Sequence, residues 1–301
     1  YWNEYLVKLT EFKPNDNSKN FVVRCLLRVM PKNNNDFRVI NVPLKGRNIE
    51  QQADYHEYIK KEVRPTRQIL SQARLLEIPK FPRLTSVTDV PLLLSNFKKM
   101  LYAQYGTVPL LYFIKFDAEK CYDNLPKDTI KSCTSKLISD DVVYYLNSTS
   151  NFDLVTQTVK NVKNLATMDT VSESLHKQKR SKTLRLGSDY VVSLCGEEIK
   201  AIVDSQVDQA YTIFNNKSYG RQKGVFQGLH LSSIFCDLVY DKLVDDKFEF
   251  LEPTESLILR LADDFLIIST NKTSILQVKK MISLGFEEYG MKVNKLKTFL
   301  N

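Results

Sequence analysis

An α+β fold, an antiparallel sheet backed by helices, is predicted by three observations. The run Val108 to Phe116 (VPLLYFIKF) is rich in β-branched and aromatic residues and too short for a core helix, so it reads as a buried strand. Ser256 to Thr270 (SLILRLADDFLIIST) sets two apolar, strand-like runs on either side of Ala-Asp-Asp, the pattern of strand, tight turn and strand. Between these segments Leu231, Ile234, Phe235, Leu238, Val239 and Leu243 recur at spacings of three and four, as in a strong amphipathic helix.

The remaining elements follow in order. Phe21 to Met30 and Phe37 to Pro43 are β-rich runs around the Asn-rich turn Lys32 to Asp36, a hairpin signal that brings Arg28, Lys32 and Arg38 near its tip. A helix is expected from about Asn48 to Val63, with Pro65 forcing a break or a new first turn. A second helix starts around Asp89, with Pro91 in its first turn, and stops before Gly106. From Ser139 to about Phe214 the sequence is polar and irregular, with a weak helical pattern over Asp153 to Leu165 and a basic cluster from His176 to Arg185, and it reads as an insertion. Thr273 or Ser274 can cap the helix after the Ala-Asp-Asp hairpin and Gly290 can end it, leaving Met291 to Leu300 as a final strand.

Composition narrows the function classes. The 301 residues suggest about two domains, and 43% hydrophobic against 26% charged residues excludes a disordered or collagen-like chain. A net charge of +8 favours a polyanionic partner without requiring one. Five cysteines without a CxxC pair, and only three histidines, argue against a disulfide framework or a zinc site and suit a reducing compartment. No apolar run approaches the ~18 residues of a membrane helix, so no membrane partner is expected. The start at Tyr1 has the look of an excerpt from a longer protein.

The chemistry is signalled by carboxylates in apolar surroundings. Asp263 and Asp264 stand between runs apolar enough to be buried, where adjacent anions repel and are costly without a partner. A surface turn is one reading, since Asp favours turns; a divalent cation is the other. Asp117, at the end of the Leu110 to Phe116 run, reaches the same place if the two strands are neighbours. Three carboxylates with phosphate and water oxygens suit Mg²⁺, and two such ions support an in-line phosphoryl displacement. No Walker A loop or GxGxxG is present to hold phosphates otherwise.

These residues carry a resemblance. FIKFDAEKCYDNLP (Phe113 to Pro126) resembles motif A of reverse transcriptases, GVFQGLHLSS (Gly224 to Ser233) motif B, LRLADDFL (Leu259 to Leu266) motif C, and GMKVNKLKT (Gly290 to Thr298) motif D. RVMPKNNNDFRVI (Arg28 to Ile40) resembles motifs 1 and 2. Within that superfamily the chain is similar to the telomerase reverse transcriptases, the fungal kind in particular, through Lys-Cys-Tyr-Asp after Asp117, the Leu-Ala-Asp-Asp-Phe-Leu form of motif C, and the long gap between Asp117 and Gln227. A group II intron or non-long-terminal-repeat retroelement enzyme shares the motifs but should have a shorter gap. A polymerase-like scaffold without activity is a third reading, against which the intact acidic trio argues.

The resemblance implies a right-hand polymerase fold: mainly fingers over residues 1–107, palm with motif A over 108–138, an insertion in the fingers domain over 139–214, and palm with motifs B, C and D over 215–301, with thumb and RNA-binding domain outside the chain. It implies RNA-directed DNA polymerase activity that extends chromosome 3′ ends on an integral template RNA. Asp117, Asp263 and Asp264 would hold two Mg²⁺ ions, and Lys297 would act as general acid toward pyrophosphate. Lys32 and Arg38 would meet the triphosphate, Tyr122 would bar a ribose 2′-OH, and Gln227 with Gly228 would approach nucleotide and template. Leu229 stands where a serine is common. Implied partners are template RNA, single-stranded telomeric DNA, deoxynucleoside triphosphates and accessory proteins, in a nuclear ribonucleoprotein at telomeres.

Overall fold

The computed structural model describes residues 2–9, 22–32, 37–46, 48–154, 157–167 and 183–301. The turn residues 33–36 and positions 176–182 of the basic cluster lie outside the described residues. The chain opens with α1 (Trp2–Tyr5) and β1 (Leu6–Lys8), then forms the hairpin β2 (Arg24–Pro31) and β3 (Phe37–Pro43), paired from Cys25↔Pro43 to Pro31↔Phe37. Asn48 caps α2 (Ile49–Tyr58) by accepting from Gln51 N at 2.8 Å. Pro65 stands in the first turn of α3 (Arg64–Leu76), the second of the two expected outcomes, and α2 reaches it through a π-helical turn, Ile59–Val63, whose wider turn accommodates the missing N–H. α4 (Val90–Tyr105) begins and ends as expected, with Gly106 in the left-handed region at φ 73°.

β4 (Tyr112–Glu119) starts later than the apolar run and continues past it, so Asp117 lies within the strand rather than at its end. Ladder partners on both sides keep residues 117–119 extended. Two helices follow, α5 (Cys121–Asn124) and α6 (Lys127–Leu137). The insertion is regular, and its weakly helical stretch is strand: β5 (Val143–Asp153), β6 (Thr158–Thr167) and β7 (Thr183–Cys195) form a sheet in the order β6-β5-β7. Val159, Val162 and Leu165 imitate a helix by their spacing of three, but β6 pairs with β5 along its whole length. α7 (Gly196–Asp204) opens with a capping box in which Glu198 Oε2 accepts from Cys195 N at 2.9 Å.

β8 (Tyr211–Phe214) and β9 (Lys217–Arg221) return to the hairpin, giving a sheet in the order β1-β9-β8-β2-β3 in which only β2 and β8 run parallel. α8 (Ser232–Lys247) is the motif B helix. Burial extends beyond the expected amphipathic stripe, because Cys236, Tyr240 and Asp241 are buried as well. α8 is therefore central, covered on most faces. β10 (Ser256–Leu261) and β11 (Asp264–Ser269) form the expected hairpin, and α9 (Lys272–Leu284) follows. Its cap is Asn271, which accepts from Thr273 N and Ser274 N, and it ends at Gly285; Gly290 closes a later single turn. The expected final strand is broken into β12 (Lys292–Val293) and β13 (Phe299–Leu300) around a turn at Lys295–Lys297.

β4 is the centre of the second main sheet, ordered β10-β11-β4-β12 with β13 also on β4. Period-two alternation divides this sheet between two cores. Ile114, Phe116, Ile258, Phe265 and Ile267 face the large core that contains α8 and α9. Leu257, Leu259, Leu266 and Ile268 face α4 through Phe97 and Leu101. This α+β architecture, antiparallel strands between helical layers, is what the sequence predicts, and it leaves the β10–β11 turn beside Asp117.

Candidate active site

Register brings the acids together. β11 pairs with β4 so that Asp264 opposes Asp117 and Phe265 opposes Phe116, whose rings stack at 4.9 Å between centroids. Slipping this ladder by one residue would move the rings out of the core, so packing fixes where the carboxylates stand. Ala262 and Asp263 form the two-residue turn, with Ala262 at φ 52°, and Ala118 N donates to Asp263 O at 3.1 Å. The Asp263 pKa is raised above the usual carboxylate value, first by burial and then by the charges of Asp117 and Asp264.

The terminal segment contributes a cation. Asn294 N donates to Asp117 O at 2.9 Å, and Asn294 Oδ1 accepts from Leu296 N at 3.1 Å, which anchors the turn bearing Lys297. Lys297 Nζ then lies 2.5 Å from Asp117 Oδ2, and this contact raises the Lys297 pKa. The donors fit a hard cation in kind: three carboxylates, no soft ligand, and a repulsion that a cation would relieve. Among the described residues, no three acidic, histidine or cysteine side chains are gathered as a ready metal cage, and Asp117 is engaged by Lys297.

Beside the turn opens a cleft of about 400 Å³. Five of the residues singled out from the sequence line it: Lys32 and Arg38 from the β2–β3 hairpin, Tyr122 from α5, Gln227 from motif B, and Asp263. Asp117, Asp264, Gly228 and Lys297 are not part of this lining. Gly228 instead holds the wall, since its φ is 111° and a Cβ there would stand 2.4 Å from Asn41 O. Asn41 N donates to Gln227 O at 2.8 Å, so hairpin and motif B share a backbone hydrogen bond. On the other side Val225 N donates to Tyr122 O at 2.8 Å. Leu229, in the place of the common serine, is buried, and a hydroxyl is supplied three positions on, where Ser232 Oγ donates to Phe226 O at 2.7 Å.

Arg260 escaped the sequence reading. Buried under the turn, it donates from Nη1 to Ala262 O at 2.9 Å and to Asp237 Oδ1 at 3.1 Å, and from Nη2 to Asp241. Arg74 and Arg83 reach the same Asp241 from the α3 side. The one available signal was an arginine within an otherwise apolar strand. Lys120, entering α5 at φ 48°, also lines the cleft unforeseen.

Comparison with known proteins agrees with the motifs. A family model described as reverse transcriptase (RNA-dependent DNA polymerase) matches residues 195–301. The telomerase reverse transcriptase of Saccharomyces cerevisiae is 31% identical over 275 residues, covering 89% of this chain and 30% of that protein. That of Euplotes aediculatus is 27% identical over 232 residues, covering 63% of this chain and 21% of that protein. Apo telomerase from Candida tropicalis superimposes with a TM-score of 0.77 at 26% identity, over 99% of this chain and 47% of that one. Telomerase from the same yeast in complex with a TWJ fragment of telomeric RNA gives 0.76 at 27% identity, over 99% and 42%. The chain thus spans about a third or less of these curated relatives and about half of the solved chains. With motifs and fold in agreement, the chain belongs to the telomerase reverse transcriptases.

Proposed function

We propose that this chain supplies the fingers and palm of an RNA-directed DNA polymerase that adds telomeric DNA to chromosome 3′ ends on an integral RNA template. The observation that carries this reading is the cleft in which Lys32, Arg38, Tyr122, Gln227 and Asp263 meet beside the Asp117–Asp264 pair. Asp117, Asp263 and Asp264 would hold two Mg²⁺ ions. Bound there, the metal would activate the primer 3′-hydroxyl and stabilise the leaving pyrophosphate.

The chain's own groups set the rest. Lys32 supplies a point charge and Arg38 a bidentate fork to the triphosphate. Tyr122 presents an aromatic ring where a ribose 2′-OH would collide. Gln227 and the side-chain-free Gly228 let the motif B backbone approach nucleotide and template. Lys297, kept protonated by Asp117, has a proton to give to pyrophosphate as it leaves. Base pairing selects the sequence, so the protein holds the RNA–DNA hybrid by backbone and shape, a task suited to the +8 charge.

Partners in this reading are the template RNA, a single-stranded telomeric primer, deoxynucleoside triphosphates and accessory proteins, in the nucleus at telomeres. The Candida tropicalis and Candida albicans telomerase structures with a TWJ fragment of telomeric RNA support an RNA partner. Among the described residues no helix is long and apolar enough to cross a membrane. Mg²⁺-dependent extension of a DNA primer on RNA by the full-length protein, abolished in Asp117→Ala, is the expected result. Extension that survives Asp117→Ala, or that copies only DNA, would overturn the reading.

A further inference from the structure

Tyr122 sits in α5, a single helical turn entered through Lys120 at φ 48°. One turn cannot hold its own orientation in water, so what fixes Tyr122 must come from neighbouring segments. Three supports are evident on the palm side. Asn124 Nδ2 closes the turn onto Glu119 O and Lys120 O at 3.3 and 3.2 Å. Motif B lies against it through Val225 N and through Gly224, where a Cβ would meet Asp123 O at 2.3 Å. Gly290 lies against its far end, where a Cβ would stand 1.9 Å from Asn124 O.

The fourth support comes from the other sheet. Arg221, the last residue of β9, donates from Nη2 to Asp123 Oδ1 at 2.5 Å, and its side chain is 1% exposed. The guanidinium lies near the ring of Tyr5 at 5.6 Å and that of Phe226 at 5.5 Å. Lys127 Nζ donates to Arg221 O at 2.8 Å, tying the same residue to α6. Along the sheet, β9 pairs with β8 from Lys217 to Gly220, the residue before Arg221, β8 with β2, and β2 with β3, so successive ladders join the strand that carries Arg221 to the hairpin that presents Lys32 and Arg38. A buried ion pair is a poor means of stabilising a fold, because desolvation offsets most of its attraction. Its firm consequence here is geometric: it ties the turn bearing Tyr122 to the sheet bearing the triphosphate contacts.

We propose that Arg221 and Asp123 are positioning residues for sugar selection, holding the Tyr122 ring where it meets the 2′ position of the incoming nucleotide. The inference rests on the reading of Tyr122 as the sugar-discriminating residue. It adds that the discrimination is set partly from the β9 side of the cleft. Loosening the pair lets α5 turn and the ring retreat, so a 2′-hydroxyl is rejected less well and the deoxynucleotide is held less well.

The test uses the full-length enzyme with its RNA, adding one nucleotide to a DNA primer at a template cytosine, with kcat and KM measured for dGTP and for GTP. Asp123→Asn keeps shape and removes the charge; Arg221→Gln removes it from the other side; Tyr122→Val is the reference. The expected result is a fall of about tenfold in the dGTP-to-GTP ratio of kcat/KM in each single variant, through a higher KM for dGTP, as a small displacement of a positioning group produces. The double variant falls no further than the singles, as residues acting as one unit do. If Tyr122→Val collapses the ratio while Asp123→Asn and Arg221→Gln leave it at the wild-type value, the proposal fails and the reading of Tyr122 stands. If Tyr122→Val also leaves it unchanged, that reading fails and the proposal with it. Should Arg221→Gln not fold, Asp123→Asn, being isosteric, decides alone.

Discussion

Asp117 and Asp264 oppose one another directly across the β4–β11 ladder, one residue from the Phe116–Phe265 ring stack. Directly opposed residues of an antiparallel pair point to the same face, where like charges destabilise the sheet by roughly 0.2–1 kcal/mol. Aromatic packing therefore holds an anionic pair together against its own repulsion. Asp264→Asn should raise the melting temperature in the absence of divalent ions, and the gain should vanish when Mg²⁺ is added. Thermal melts with and without Mg²⁺ check this; an equal gain in both would show that no cation uses the pair.

Lys297 Nζ stands 2.5 Å from Asp117 Oδ2. A cation binding to that carboxylate must compete with the ammonium. Lys297→Met should then lower the Mg²⁺ concentration for half-maximal primer extension while reducing the maximal rate by about 10²-fold, the loss of a general acid. A Mg²⁺ titration of extension separates the two effects, and a lower maximal rate with an unchanged midpoint would count against the competition.

Gly228 has no room for a side chain and a φ that L residues rarely adopt. Gly228→Ala must either strain the motif B loop, at about 1–3 kcal/mol, or push it off the β3 strand at Asn41. Both move Gln227. The expected outcome is a lower melting temperature and a raised KM for deoxynucleotides, read by calorimetry and by single-nucleotide addition; a variant with wild-type values for both would refute the tight approach.

His230, half-buried in motif B, has its pKa lowered first by burial and then by the charges of Arg64 and Arg67. The folded state therefore binds its proton more weakly than the unfolded chain, whose imidazole titrates at about 6.5. Stability is full above that value and falls as pH drops below it. Melting temperatures from pH 8 to pH 5 should decline in the wild type and decline less in His230→Gln. Parallel profiles would exclude His230 as the source.

Much of the palm was legible because its pattern is local. The β10–β11 hairpin is two apolar runs with an acidic turn, and the deviations there are small: β4 extends past Asp117 because strands on both sides pair with it, a fact no single segment contains. Where burial is decided by distant elements, the periodic signal misleads. The α8 pattern looks amphipathic, yet Asp241 is buried because Arg74, Arg83 and Arg260 converge on it from α3, the adjoining loop and β10. In the same way Val159, Val162 and Leu165 read as a helix until β5 supplies a pairing partner. Of the site, the residue types and their order came from sequence; the single cleft joining Lys32, Arg38, Tyr122, Gln227 and Asp263 needed the fold.

The β6-β5-β7 sheet leaves and rejoins the body at one point: Val143 pairs with Cys195, and Gly196 N donates to Val142 O at 3.0 Å. Ser139 O lies where a Gly196 Cβ would be, 2.0 Å away, so departing and returning strands are clasped at a common doorway. The clasp thus fixes how far apart the two ends of the sheet stand where they meet the body. The root of the sheet is no loose appendage, because Tyr144 and Leu194 carry it into the large core, with Leu165 packed against that core.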